Sequence, residues 1–287
     1  MKETSTSQPK FTVIPPATTP QIPTIFEHYG ETLTDVPYCT SDPAQIMDVY
    51  FPAAGGPWQM LVYVHGGSWM HGDKSEAALF AHGMTSLGYL VVSINYRLYP
   101  PANWPAMIED VKCAIRSLRA HASEYNIDPN RIAAMGTSAG GHLVSLLGTS
   151  DQSAGWDMGE YLDQSSRVKA VIALAPVIDL TKNFPNADIE AMKRVGFGEH
   201  NIVQASPITY VTPDDPPFLL IHGDHDELVP YEQSQLMYDR LTQANVPAQL
   251  VIVKNARHSL IEPDTIFTPS LMEIYQIIVE FLAQHLQ

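Results

Sequence analysis

Three residues set far apart along the chain, Ser138, Asp226 and His258, are of the types that together make a nucleophile of a hydroxyl. A serine hydroxyl attacks poorly at neutral pH. It needs a base to take its proton, and the base needs an acid to orient it. Ser138 stands in Gly136-Thr137-Ser138-Ala139-Gly140, entered from the apolar run Ile132-Ala133-Ala134-Met135 and followed by Leu143, Leu146 and Leu147 at helical spacing. A strand, a sharp turn and a helix with the serine at the turn is the context in which this motif carries a nucleophile. There the free N–H groups and dipole of the helix favour developing negative charge. Asp226 follows the apolar run that ends at His222. Among 11 histidines, His258 is the one that follows the final apolar run, Gln249–Val253. Asp224 is the alternate acid and Asp179 a more remote one.

Charge that develops on an attacked carbonyl oxygen needs N–H donors. Ala139 supplies one, directly after Ser138. The loop His65-Gly66-Gly67-Ser68-Trp69 also follows a strand end, and Gly67 and Ser68 are its donor candidates. His65 and Trp69 are the candidate substrate-side residues. His65 mainly holds the loop's shape, and Trp69 is either pocket wall or core. The segment His222-Gly223-Asp224-His225-Asp226-Glu227 is rich in metal-ligand types, but adjacent residues at a strand end diverge while a zinc site needs three or four converging side chains. No helical His-Glu-x-x-His and no Gly-rich phosphate loop is present. Neither metal nor cofactor is expected.

The elements that must position these residues read clearly. Ile46–Phe51, Trp58–His65, Tyr89–Tyr96, the run into Ser138 after a turn at Asp128-Pro129-Asn130, Val168–Ala175, Phe218–His222 and Gln249–Val253 are expected strands. Helices are expected over Glu76–Leu87, from Pro105 to about Ala122, after Ser138, over Tyr231–Ala244 and over Leu271–Leu286. Buried strands alternating with amphipathic helices give an α/β fold, a mostly parallel sheet covered on both faces. Residues 46–287 form one domain, and residues 1–45 read as an arm packed on it, with a proline-rich, polar start (Pro9, Pro15, Pro16, Pro20, Pro23).

The chain has 287 residues, 45% of them hydrophobic, and a formal net charge of −15, which argues against nucleic acid and anionic membrane surfaces as partners. Its two cysteines are too few for a disulfide framework, and Cys113, in a helical stripe, reads as a buried free thiol. No run approaches the roughly 20 apolar residues that cross a bilayer, and Met1–Lys10 lacks the apolar stretch of a secretory leader. A cytoplasmic location is expected, or secretion if a leader has been removed.

With these residues in place, the sequence resembles the α/β-hydrolase superfamily, in its esterase groups with a His-Gly-Gly oxyanion loop. These include the hormone-sensitive-lipase-like carboxylesterases and, more closely, the bifunctional feruloyl/acetyl-xylan esterase-like family. The likeness runs from about Met47 to the C-terminus. It rests on Val64-His65-Gly66-Gly67-Ser68-Trp69 with Gly72-Asp73-Lys74, on Asn95-Tyr96-Arg97-Leu98, on Gly136-Thr137-Ser138-Ala139-Gly140-Gly141-His142-Leu143, and on Pro216–Pro230 with His258. The resemblance implies an α/β-hydrolase fold without a large cap. It also implies Ser138 as nucleophile, Asp226 as acid, His258 as base, and Gly67, Ser68 and Ala139 as oxyanion donors.

The implied function is a serine carboxylesterase for short-chain acyl or aryl esters, such as acetyl or feruloyl esters of plant polysaccharide. The partner would be a small-molecule or polysaccharide-linked ester, and the protein a monomer or homodimer. Two alternatives stand beside it. An arylformamidase-like amidase shares the His-Gly-Gly-x-Trp and Ser-Ala-Gly-x-His-Leu blocks, and a ligand-binding protein on the same fold would usually lack a triad member. Two departures are visible: Ser68 stands where the family has a third glycine, and Arg257 stands where glycine precedes the base. Lys182–Ser206, with Phe197, is short and would make a small wall; Pro15–Phe26 is a second candidate cover. An open or lightly covered pocket for a small acyl group is expected.

Overall fold

The computed structural model describes residues 29–260 and 266–287; the proline-rich start and its suggested cover over the site lie outside them. Eight strands form one sheet: β1 (Tyr29–Pro37), β2 (Ile46–Pro52), β3 (Trp58–Val64), β4 (Tyr89–Ile94), β5 (Ile127–Thr137), β6 (Ala170–Leu174), β7 (Phe218–Gly223) and β8 (Ala248–Val253). Their order is β1-β2-β4-β3-β5-β6-β7-β8. The β1/β2 and β2/β4 pairs are antiparallel and the rest parallel. This is the α/β-hydrolase architecture, as the sequence implied.

Among the described residues, six α-helices cover the sheet: α1 (Ala78–Ser86), α2 (Ala106–Ala120), α3 (Ala139–Thr149), α4 (Ala187–Val195), α5 (Glu232–Gln243) and α6 (Leu271–His285). The strand period of two sorts side chains onto two faces. Met60, Val62 and Val64 of β3 and Ile132 and Ala134 of β5 pack with α2, α3 and α5. Leu61, Ala133 and Met135 face the other way, onto α1 and α6. Both faces are apolar because both are covered, and for that reason the strands read as continuous runs and not as alternations.

Three local readings change. The sheet begins at Tyr29, inside the stretch read as an arm, because Tyr29–Pro37 pairs along β2 with two register shifts. The turn at Asp128-Pro129-Asn130 lies inside β5: Trp58 pairs with Ile127 and Met60 with Ile132, so residues 128–131 bulge from the ladder. Cys113 is not a free thiol. It is bonded to Cys39, across 74 residues of sequence. Cys39 follows β1 in a buried turn and Cys113 lies on the buried face of α2, so the bridge ties the edge of the sheet to a helix. Sequence spacing alone held no sign of that approach.

Candidate active site

The carboxyl ends of the parallel strands carry the chemistry, as an open α/β sheet dictates. β5 ends at Thr137 and α3 begins at Ala139, leaving Ser138 alone at the corner with φ 56° and ψ −115°. A non-glycine residue in this region is strained and persists only when its surroundings fix it. Here Ser138 N–H donates to the Leu174 carbonyl at 2.8 Å and the Ser138 carbonyl accepts from His142 N–H at 2.9 Å. Gly140 makes the corner possible, because a Cβ there would meet the Val64 carbonyl oxygen at 2.0 Å. Ala139 is the first residue of α3, so its N–H has no acceptor within the helix.

The loop after β3 crosses in front of this corner. Gly67 has φ +105°, and a Cβ on it would fall 1.9 Å from the His71 carbonyl oxygen. Ser68 and Trp69 follow with φ 52° and 60°, which accounts for the glycine usual at the position of Ser68. The loop is closed by Met70 and His71 N–H groups donating to the Gly67 carbonyl, at 2.9 and 3.0 Å.

His258 follows β8 and reaches Asp226 after β7: its Nδ1 lies 2.6 Å from Asp226 Oδ2. The Asp226 side chain is fully buried, and its other oxygen accepts the Leu228 and Val229 N–H groups at 2.9 Å each. Burial pushes the carboxyl up, but hydrogen bonds from His222 and His258 outweigh it and hold Asp226 well below the usual range. Asp224, the alternate acid, points elsewhere. It accepts from Asn255 N–H at 2.6 Å and lies 2.7 Å from His225 Nδ1.

Ser138, His258, Gly67 and Ser68 line one cavity of about 530 Å³. Its remaining wall is mostly apolar. Tyr63, Met135 and Leu174 project from the sheet, Phe80 from α1, and Leu271, Ile274, Tyr275 and Ile278 from α6. Ile274 and Ile278 of α6 belong both to the core against the sheet and to the cavity wall. Among the described residues, no cluster of His, Cys, Asp and Glu suited to a metal ion is found.

Residues 47–241 match the model of the BD-FAE family. The chain belongs to that family. Esterase LipQ of Mycobacterium tuberculosis is 32% identical over 257 residues, covering 84% of this chain and 60% of its own length. The probable carboxylic ester hydrolase LipM of the same organism is 35% identical over 201 residues, covering 66% and 46%. The chain thus spans about half the length of the curated relatives it matches. Among solved structures, a truncated carbohydrate esterase from gut microbiota is 27% identical with a TM-score of 0.77, covering 90% of this chain and 97% of that one. The propionate-bound esterase Est2 of Thermogutta terrifontis is 25% identical with a TM-score of 0.73, covering 92% and 96%.

In this BD-FAE member, two site expectations are corrected. Trp69 is fully buried and is not among the residues lining the cavity. Its indole N–H donates to His142 Nδ1 at 3.2 Å, while His142 Nε2 lies 2.7 Å from the Ala205 carbonyl. Trp69 is an anchor that ties the loop after β3 to α3. His65 is likewise buried beneath the loop, stacked on Tyr96 at 4.4 Å with its Nδ1 2.7 Å from the Gly66 carbonyl; burial pushes its imidazole down. It supports the loop from beneath and is not among the residues lining the cavity.

Phe197 is no wall either. It packs on Trp69 at 4.9 Å and Trp104 at 5.4 Å, and α4 buries Ile189 and Met192 in the same core. Arg257 points to Glu227 at 3.4 Å, both largely exposed. The residues missed in the sequence are His222, His142 and Ser234. All are fully buried polar side chains, and the only signal for them is the presence of a polar residue inside an apolar stripe.

Proposed function

We propose that the protein is a serine carboxylesterase that works through an acyl-enzyme. The observation that carries this reading is the meeting of Ser138, on its strained corner, with the Asp226-held His258 in one cavity. His258 Nε2 takes the proton as Ser138 Oγ attacks the ester carbonyl. The N–H groups of Ala139, Gly67 and Ser68 receive the charge on the carbonyl oxygen. Collapse breaks the ester C–O bond, and the alcohol departs with the proton from His258. Water then repeats the sequence on the acyl-enzyme and releases the acid.

The cavity supports an acyl or aryl group larger than the small one expected from sequence. About 530 Å³ with mostly apolar walls is the scale of a small-molecule site. The carbohydrate esterase among the structural neighbours supports a carbohydrate-linked ester as one substrate class. The test is initial rates on p-nitrophenyl acetate through decanoate, a feruloyl ester and acetylated xylan, for wild type and Ser138→Ala. Turnover that vanishes in Ser138→Ala, together with covalent capture of wild type by a fluorophosphonate, supports the reading. Turnover retained in folded Ser138→Ala overturns it.

A further inference from the structure

The acid of the triad is held by more than its base. His222, the fifth residue of β7, places its Nε2 3.0 Å from Asp226 Oδ2 and 2.9 Å from the Val229 carbonyl oxygen. Both atoms are acceptors only: Asp226 is held as a carboxylate and a backbone carbonyl cannot donate. The proton must therefore be on Nε2, where it bridges two oxygens that would otherwise repel. On the far side of the ring, Nδ1 lies 2.8 Å from Ser234 Oγ on α5. A hydroxyl donating to Nδ1 selects the tautomer that carries its proton on Nε2. His222 and Ser234 are both fully buried, so neither bond can be replaced by bulk water.

We propose that His222, with its tautomer set by Ser234, is a positioning residue that fixes the orientation of Asp226 and the negative charge it presents to His258. The proposal rests on the serine-esterase reading above. His222 Nε2 and His258 Nδ1 converge on the same oxygen, at 3.0 and 2.6 Å, while Leu228 and Val229 N–H groups fill the other. All four acceptor positions of the carboxylate are occupied. Sharing Oδ2 with a second N–H divides that oxygen's charge between His222 and His258. Removing that N–H leaves Oδ2 facing the Val229 carbonyl, frees the carboxylate to turn, and makes the remaining bond to His258 stronger. The same argument reaches Ser234: without its hydroxyl, the His222 proton can move to Nδ1, and a bare Nε2 lone pair then faces two oxygens.

The experiment compares Ser234→Ala, His222→Leu and His222→Gln with wild type. It measures kcat, KM and the pH profile of kcat/KM on a p-nitrophenyl ester, with thermal unfolding as the check on folding. Ser234→Ala and His222→Leu are expected to lose about 10- to 100-fold in kcat, the factor that one or two lost buried hydrogen bonds represent, with KM within about 2-fold. The acid limb of kcat/KM, which reports the free enzyme's base, should move to higher pH in both. His222→Gln can place an amide N–H near the position of Nε2 and should restore most of kcat and the wild-type limb.

Among the described residues, the other titratable and charged groups near the base are His71 and Glu76 across the cavity and the Asp224–His225 and Glu227–Arg257 pairs. These are common to all variants and cancel in the comparison. An acid limb that stays in place while kcat falls in proportion to lost stability overturns the proposal, because a purely structural residue would behave so. Failure of rescue by His222→Gln in a folded protein also counts against it. Ser234→Ala removes only one oxygen and keeps the test open if the β7 substitutions do not fold. Fluorophosphonate labelling of Ser138 separates this outcome from failure of the esterase reading, which would abolish labelling in wild type.

Discussion

Replacing Asp226 with asparagine tests the assignment of the acid most directly. The carboxylate accepts four N–H groups: Leu228 and Val229 on Oδ1, His222 and His258 on Oδ2. A carboxamide of the same shape has one acceptor end and one donor end. The backbone donors cannot change, so the amide oxygen must turn toward Leu228 and Val229 and the NH₂ toward the imidazoles. His258 Nδ1, at 2.6 Å, must then accept, which puts its proton on Nε2, where it faces Ser138 and cannot take the hydroxyl proton. The opposite flip aims an NH₂ at two fixed N–H groups, each left unsatisfied at about 1–3 kcal/mol. The tautomer error alone is expected to lower kcat about 10⁴-fold, as it does in the serine-protease precedent, or about 5 kcal/mol of transition-state stabilisation. Asp224→Asn is the control. Among the described residues its carboxylate meets Asn255 N–H and His225, away from the cavity, and a loss below about 5-fold is expected. Initial rates on a p-nitrophenyl ester, with thermal unfolding to confirm the fold, decide the matter. Equal losses in the two variants, or an Asp226→Asn enzyme within about 10-fold of wild type, would refute the reasoning.

Other expectations follow from the same contacts. Breaking the Cys39–Cys113 bond, which closes a loop spanning 74 residues, should lower stability by up to about 4 kcal/mol on the loop-entropy estimate; guanidinium unfolding of Cys113→Ser measures it, and free thiols in unreduced protein would contradict the bond. Trp69→Phe leaves His142 Nδ1 without its donor and should cost about 1–3 kcal/mol. With Trp69 an anchor, kcat falls while KM for an apolar ester holds; a changed KM alone would return Trp69 to the pocket wall. Burial pushes His142 from the ordinary 6.5 down to about 4. Because the folded value is the lower one, its contribution is complete above pH 6.5 and is lost as pH falls toward 4, up to about 3 kcal/mol. Buried His65 acts in the same direction. Denaturant midpoints from pH 7 to 4 should show this slope, and His142→Gln should flatten it.

The parts legible in the sequence were those written in local order. The strand–turn–helix around Ser138, the apolar runs and the polar residues after them gave the sheet, the serine corner, and a carboxylate and an imidazole that do meet. The parts not legible depend on approaches across the fold. Cys39 and Cys113 meet only because the turn after β1 lies over α2. Trp69 could be wall or core until its indole N–H found His142. The bulge at residues 128–131 reads as a turn because Pro129 and its neighbours have turn chemistry wherever they stand. Ser234 lies on α5, and nothing in its helical neighbours marks a residue that reaches back to β7.

The two faces of the sheet divide the work, and under the proposed esterase reading the division predicts how the acyl group is selected. The face covered by α2, α3 and α5 holds the anchors: Trp69 on His142, Phe197 against both, and Ser234 on His222. The face covered by α1 and α6 leaves a cavity of about 530 Å³ between Phe80, Ile274 and Ile278. Each methylene buried there contributes about 0.8 kcal/mol, so kcat/KM should rise about 4-fold per carbon from acetate until the chain fills the space, then level or fall. Ile278→Trp narrows the cavity without touching the triad and should move that break to shorter chains while leaving acetate turnover within about 3-fold. Ile278→Ala should move it to longer ones. Both shifts are read from the p-nitrophenyl ester series. A break that stays in place in both variants would show that the acyl chain lies outside this cavity, along the open mouth where Leu271 is exposed, and that the apolar lining serves the alcohol side of the ester.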